Sequence, residues 1–195
     1  MERLYLEIPS SNRKEEAIEY IREHQEYNSS IHGCGSLDDY VDNYEEWLVR
    51  LESFRSEKPP KGYVPSETYF LIREMDNKII GMIDIRLRLN ERLMKYGAHI
   101  GYGIRPIERR KGYNKINLYL GLKVCREHNM EEVLLDADLN NPASWKTMEA
   151  LGGTKIGEYI DEEDNERVVR YSIPVEKSLE EYKEIYEPKI KVHVR

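Results

Sequence analysis

The chain has 195 residues, 39% hydrophobic and 34% charged, with a formal net charge of −7. That length supports one domain, or one domain with an appendage, around a real core. The acidic balance argues against general nucleic-acid binding, no apolar run approaches membrane-spanning length, and the N-terminus has no hydrophobic signal region, so a cytoplasmic protein is expected.

Leu4-Tyr5-Leu6-Glu7-Ile8 reads as a short strand, and the turn at Pro9 to Asn12 can cap a helix starting near Arg13. Ala17, Tyr20, Ile21 and His24 share one face of that helix. Asn28 to Gly35 reads as a loop. Leu37 to Phe54 reads as a stronger helix, with Tyr40, Tyr44, Trp47, Leu48 and Leu51 at three- and four-residue spacing. Those aromatics suit the core, with the wall of a pocket as the other reading. After a Pro- and Gly-containing loop come two strands, Thr68 to Glu74 and Lys78 to Arg88, around the tight connection Met75-Asp76-Asn77. In the second, Ile83, Ile85 and Leu87 alternate with Asp84, Arg86 and Arg88, giving one dry and one charged face. A polar crossing at Asn90 to Tyr96 leads to a strand ending at Ile104, a cationic loop, and an apolar helix from Asn114 to His128. Glu132 to Asp136 is a strand. Asn141 before Pro142 opens a helix that stops at Leu151-Gly152-Gly153. Thr154 to Ile160 and Arg167 to Ile173 form a hairpin about the acidic turn Asp161 to Asn165.

Beyond Pro174 the character changes to a charged helix candidate, Ser178 to Tyr186, and an alternating Ile190, Val192, Val194 edge strand. The expected organisation is therefore a domain over 1–174 with an extension over 175–195. The extension docks on its own domain or on a second subunit; a homodimer would use this tail or a sheet edge. The element order predicts a mixed α/β fold, with a largely antiparallel sheet whose one parallel pair is the strand before the long helix and the strand after it.

The loop Arg105-Pro106-Ile107-Glu108-Arg109-Arg110-Lys111-Gly112-Tyr113-Asn114 carries the chemistry. A chain leaving a strand and entering a helix points free N–H groups into such a loop, and the helix dipole adds positive potential. Arg105, Arg109, Arg110, Lys111 and Lys115 crowd that end, where acidic residues are normally favoured. The crowding points to an external anion, a phosphate or pyrophosphate. The cysteines Cys34 and Cys125 make no metal or redox pattern, and His24, His32, His128 and His193 have no metal-ligand spacing, so no metal is expected.

Arg109 to Asn114 resembles the Gln/Arg-x-x-Gly-x-Gly/Ala loop of the GNAT N-acetyltransferase superfamily. Asn141-Pro142-Ala143-Ser144 and Glu149-Ala150-Leu151-Gly152-Gly153 are similar to its second block. His99 to Pro106, with Arg86-Leu87-Arg88-Leu89-Asn90, resembles an uncharacterised bacterial subgroup. The likeness covers roughly residues 30 to 172. It implies the GNAT fold, a splayed, mostly antiparallel mixed sheet flanked by about four helices, and acetyl-CoA as cofactor. Backbone amides from Arg110 to Asn114, with Arg109 and Lys111, would hold the pyrophosphate. The edge Tyr102, Gly103, Ile104 would pair with the pantetheine arm, and the Tyr102 amide would be the oxyanion donor. Asn141 would bind the arm, and Ser144 would contact the cofactor or cap its helix. The implied reaction is direct attack of a small-molecule or peptide amine on the thioester. A non-catalytic acyl-CoA sensor is the alternative.

His99 is the first candidate base, its other reading being a structural His bonded to backbone or a neighbouring strand. Asp84 is the second candidate, its other reading a solvated or salt-bridged carboxylate. The sequence departs from the family at Met148, where many members carry a tyrosine that can donate a proton. Three outcomes follow: the thiolate leaves unaided, Tyr113 substitutes, or the protein is not a conventional catalyst.

Overall fold

A computed structural model describes residues 2–162 and 165–191. Val192, His193 and Val194 of the expected edge strand, and part of the acidic turn, lie outside those residues. The elements are β1 (Leu4–Glu7), α1 (Lys14–Glu26), α2 (Tyr44–Phe54), β2 (Ser66–Arg73), β3 (Lys78–Arg86), α3 (Glu91–Tyr96), β4 (Ile100–Ile104), α4 (Tyr113–Glu127), β5 (Glu132–Asp138), α5 (Pro142–Glu149), β6 (Thr154–Ile160), β7 (Arg167–Pro174), α6 (Val175–Glu181) and α7 (Lys183–Tyr186).

Two antiparallel sheets form, ordered β1-β2-β3-β4 and β5-β7-β6. The alternation in β2 and β3 sorts their side chains into two cores. Leu71, Ile83 and Ile85 pack with Leu118, Leu122 and Cys125 of α4. Phe70, Ile72, Ile79 and Met82 pack with α1 and α2 through Ala17, Tyr20, Ile21, Tyr44 and Trp47. Each fully buried large aliphatic side chain here contributes roughly 1.5–3 kcal/mol. Tyr44 and Trp47 are core residues, and Trp47 Nε1 donates to the Gly35 carbonyl at 2.9 Å.

Two expectations change. The helix over 37–54 is interrupted: a single 3-10 turn, Leu37–Tyr40, precedes α2, which starts only after Asn43. Asp38, Asp39, Asp42 and Asn43 are residues of low helix propensity, which outweighs the apolar spacing. The expected parallel pair, β4 with β5, forms no ladder. The two strands are joined where His99 N donates to Leu134 O (2.9 Å) and Leu134 N donates to His99 Nδ1 (2.9 Å). A ring nitrogen fills the acceptor position that a backbone carbonyl would fill in a continuous sheet. Beyond that point the strands diverge.

The extension folds back on its own chain. Tyr186 packs against Tyr119 of α4 with ring centroids 5.2 Å apart, and Lys123 pairs with Glu187 at 2.6 Å. Ile190 bridges in parallel to Leu4 of β1.

Candidate active site

The open side of β4 follows from the hydrogen-bond alternation of an antiparallel ladder. Arg86 N donates to His99 O and Arg105 N to Ile80 O. With Asp84 opposite Gly101 and Met82 opposite Gly103, the bonded pairs between those ends are 84–101 and 82–103. Ile100, Tyr102 and Ile104 therefore turn N–H and C=O away from β3, into the gap toward β5. Within that gap the Ile104 carbonyl is already taken by Arg109 Nε at 3.0 Å. The Tyr102 amide faces the split.

At one end of the gap sits the N-terminus of α4. Gly112 is its cap residue, with φ +83°, no side-chain cap, and no acidic residue in the first turn. The first amides of the helix thus lack helical partners. Of the five expected cations, three are committed elsewhere. Arg105 is fully buried and ion-paired to Glu23 (2.9 Å) and Glu19 (3.4 Å), so its expected anion role is corrected to a structural pair with α1. Lys111 Nζ donates to Glu108 at 2.7 Å. Arg109 binds Ile104 O and Ser29 Oγ. The Arg110 and Lys115 side chains have no hydrogen-bond or ion-pair partner among the described residues.

Glu108, the one acid in the loop, anchors it. Its carboxylate accepts from Arg73 Nη1 (2.8 Å) and Nη2 (3.0 Å), with both side chains at most 10% exposed. Burial alone would raise the Glu108 pKa, but Arg73 and Lys111 hold it below the usual 4.5. A depressed folded-state value means the pair stabilises the fold above the unfolded value and loses that contribution as pH falls through the folded one. Glu108→Gln should lower unfolding free energy by about 2–3 kcal/mol at pH 7, Asp76 still compensating Arg73. Urea titrations at pH 7 and below pH 4 check this, because the difference between variant and wild type should shrink in acid.

The far wall is α5. Asn141 Oδ1 caps that helix by accepting from Ser144 N at 3.3 Å, and the Tyr102 hydroxyl meets Ser144 O and Oγ, each at 3.2 Å. Met148 is 1% exposed and belongs to the core. The Tyr113 hydroxyl, the candidate substitute for the missing phenol, donates to Glu2 at 2.6 Å and accepts from Arg73 at 3.3 Å.

The two candidate bases differ in what engages them. An amide on His99 Nδ1 fixes the neutral tautomer with hydrogen on Nε2. Burial, then the Arg86 charge, lowers its pKa. Asp84 lies on β3 directly across from Gly101. It accepts from Thr68 Oγ1 at 2.8 Å, its nearest cation is Arg86 at 4.0 Å, and its side chain is 14% exposed. Burial raises its pKa against the opposing pull of Arg86 and the Thr68 hydrogen bond.

The loop that holds Gly33 and Gly35, which in sequence suits an ordinary turn or a pocket loop, supplies a further wall. Gly101 and Gly103 leave one face of β4 bare, and residues 29–35 cross it. A Cβ on Gly103 would lie 2.8 Å from the His32 carbonyl oxygen, and one on Gly33 (φ +73°) 2.5 Å from the Gly101 oxygen. Glycine at i and i+2 of a strand is the signal for such a backbone approach.

Together β4, the loop, the first turn of α4, Asp136 to Asp138 of β5, and Asn141, Ser144 and Thr147 line a cleft of about 590 Å³, with Ser29, Ser30 and His32 on its rim. Among the described residues no helix is long and apolar enough to cross a membrane, and no group of three or more His, Cys, Asp or Glu could hold a metal ion.

A family model described as the acetyltransferase (GNAT) domain matches residues 3–154. No curated protein matches the chain. Solved structures share the fold at low identity. The ribosomal-protein-S5-alanine acetyltransferase from Vibrio fischeri is 16% identical with a TM-score of 0.65, over 89% of this chain and 94% of that one. A spermidine N-acetyltransferase SpeG chimera from Vibrio cholerae and hSSAT is 16% identical with a TM-score of 0.64, over 91% and 99%. RimL, a ribosomal L7/L12 alpha-N-protein acetyltransferase in complex with coenzyme A, is 16% identical with a TM-score of 0.64, over 88% and 94%. Likeness at this identity carries the fold. The family match over most of the chain carries the identity: the protein belongs to the GNAT acetyltransferase family, an acyltransferase whose cofactor is acetyl-CoA.

Proposed function

We propose that this enzyme transfers the acetyl group of acetyl-CoA to a primary amine of a small molecule or peptide. The observation that carries this reading is the Tyr102 amide facing the split between β4 and β5, in one cleft with the uncapped start of α4. The residues fit the cofactor. Amides from Arg110 to Asn114 would hold its pyrophosphate, with the unpartnered Arg110 and Lys115 adding charge. The edge from Tyr102 to Ile104 would pair with the arm, and Asn141 and Ser144 would close the other side. Acetyl-CoA supplies the acetyl group as a thioester. The Tyr102 N–H would donate to the carbonyl oxygen as negative charge builds there.

Of the two candidate bases, Asp84 is preferred. Burial raises its pKa, and its carboxyl is not locked in a close ion pair; neither it nor His99 lines the cleft itself, so Asp84 would take the ammonium proton by way of water. The His99 lone pair on Nδ1 is occupied, which suits a strut between the sheets. A net charge of −7 favours a cationic acceptor.

Thiol release from acetyl-CoA, measured over a panel containing spermidine and a peptide with a free N-terminal amine, tests the reading. Turnover with at least one amine is expected. Tight CoA binding without turnover on any amine would contradict it and favour a sensor.

Arg110 offers a second check. At φ +64° a non-glycine residue is strained by roughly 1–2 kcal/mol. Arg110→Gly should raise the melting temperature by about 1–3 °C yet weaken CoA binding about tenfold, since strain is retained where function uses it. Unchanged CoA affinity by calorimetry would remove Arg110 from the site.

A further inference from the structure

Arg109 is the cation of the loop whose hydrogen bonds leave the loop in two directions. Its Nε donates to Ile104 O at 3.0 Å, on the open edge of β4. Its Nη2 donates to Ser29 Oγ at 2.6 Å. The Nε and Nη2 edge is one that could grip a phosphate bidentately, and it is already used. Ser29 opens the segment that runs to Gly35 across the bare face of β4, with the His32 carbonyl against Gly103 and the Gly33 backbone against Gly101 and the Tyr102 Cα. Residues 29–35 contain no helix or strand. Arg109 charge also reaches His32, whose pKa is lowered first by burial and then by that charge.

We infer that Arg109 is a positioning residue and not a phosphate ligand: it ties the phosphate end of the cleft to residues 29–35, so that filling one end orders the wall beside the reacting carbonyl. The inference rests on the acetyl-CoA reading of the cleft. Fixing the backbone from Arg110 to Asn114 fixes the Arg109 Cα. The guanidinium then holds Ser29, and Ser29 holds the segment against Gly101 and Gly103. Arg110, its neighbour, has no such partner and is left for the phosphate.

The test uses CoA itself, with calorimetry and hydrogen exchange on the full chain. Arg109→Met and Ser29→Ala should bind CoA within about threefold of wild type, whereas Arg110→Met should bind about tenfold more weakly. CoA should slow amide exchange in residues 29–35 of wild type by about fivefold or more, and of neither Arg109→Met nor Ser29→Ala. Ser29→Thr keeps a hydroxyl and should restore the protection. If Arg109→Met loses CoA as severely as Arg110→Met, Arg109 is a phosphate ligand and the inference falls. It falls equally if CoA binds wild type but leaves exchange in 29–35 unchanged. A wild type that does not bind CoA would overturn the cofactor reading, and this inference with it. Ser29→Ala tests the same link through a mild surface change should Arg109→Met fold poorly.

Discussion

Asp84→Asn is expected to lower kcat by roughly 10²–10³-fold while leaving CoA affinity unchanged. The carboxylate lies across from Gly101, one residue from the proposed oxyanion donor, with Thr68 as its hydrogen-bond partner and Arg86 only at 4.0 Å. Asparagine keeps an oxygen for Thr68 but cannot take a proton from an ammonium. The pH dependence has a definite sign. Burial raises the Asp84 pKa from 3.8, so a base that must be ionised loses kcat/KM as pH falls through that raised value. Stability runs the other way. The folded state binds this proton more tightly than the unfolded state, so ionising Asp84 costs the fold free energy above the folded pKa. Asp84→Asn should therefore match or exceed wild-type stability at pH 7, with any gain vanishing in strong acid. His99→Ala provides the contrast. It strands the Leu134 N–H and should cost about 1–3 kcal/mol of stability without removing the acid limb of the rate profile. Normal kcat in Asp84→Asn, or loss of the limb in His99→Ala instead, would exchange the two roles.

Gly112→Asp is expected to raise the CoA dissociation constant about a hundredfold or more, well beyond the effect of Arg110→Gly or Arg110→Met. Two causes add. The φ of +83° at Gly112 strains any other residue, and a carboxylate would bring negative charge to the helix end proposed to hold phosphate. Nothing lies within 4 Å of a Cβ at this position, so a clash contributes little. Gly112→Ala separates the causes, because it carries the strain alone, and it should lose far less affinity than Gly112→Asp. Equal affinities of Gly112→Asp and wild type by calorimetry would refute the pyrophosphate assignment.

The parts of the molecule legible in its sequence are those set by local chemistry. Alternation in Lys78 to Arg88 correctly separated Ile83 and Ile85 from Asp84. Asn141 before Pro142, and Gly152 after Leu151, marked both ends of α5. The glycine at 112, after the strand ending at Ile104, marked the start of α4. What remained hidden depends on partners distant in sequence. Arg105 looked like one more free cation because its acids, Glu19 and Glu23, lie in α1. Tyr113 looked available because Glu2 and Arg73, which engage its hydroxyl, come from the N-terminus and β2. For His99 the sequence offers both a base and a structural His bonded to a neighbouring strand, and periodicity carries no information about the Leu134 amide that its ring accepts. The helix expected over 37–54 breaks where Asp38, Asp39, Asp42 and Asn43, residues of low helix propensity, cluster near its start.

Acetyl-CoA is proposed to occupy one cleft, from the start of α4 to the Tyr102 amide, and the proposed reaction depends on that placement. A crystal structure of the protein with CoA tests it most directly. The pyrophosphate is expected on the amides from Arg110 to Asn114 and beside Arg110, the arm along the open edge from Tyr102 to Ile104, and the thiol end near the Tyr102 N–H. A pyrophosphate bound away from the Arg110 to Asn114 amides, or an arm that leaves the edge of β4 unpaired, would contradict it.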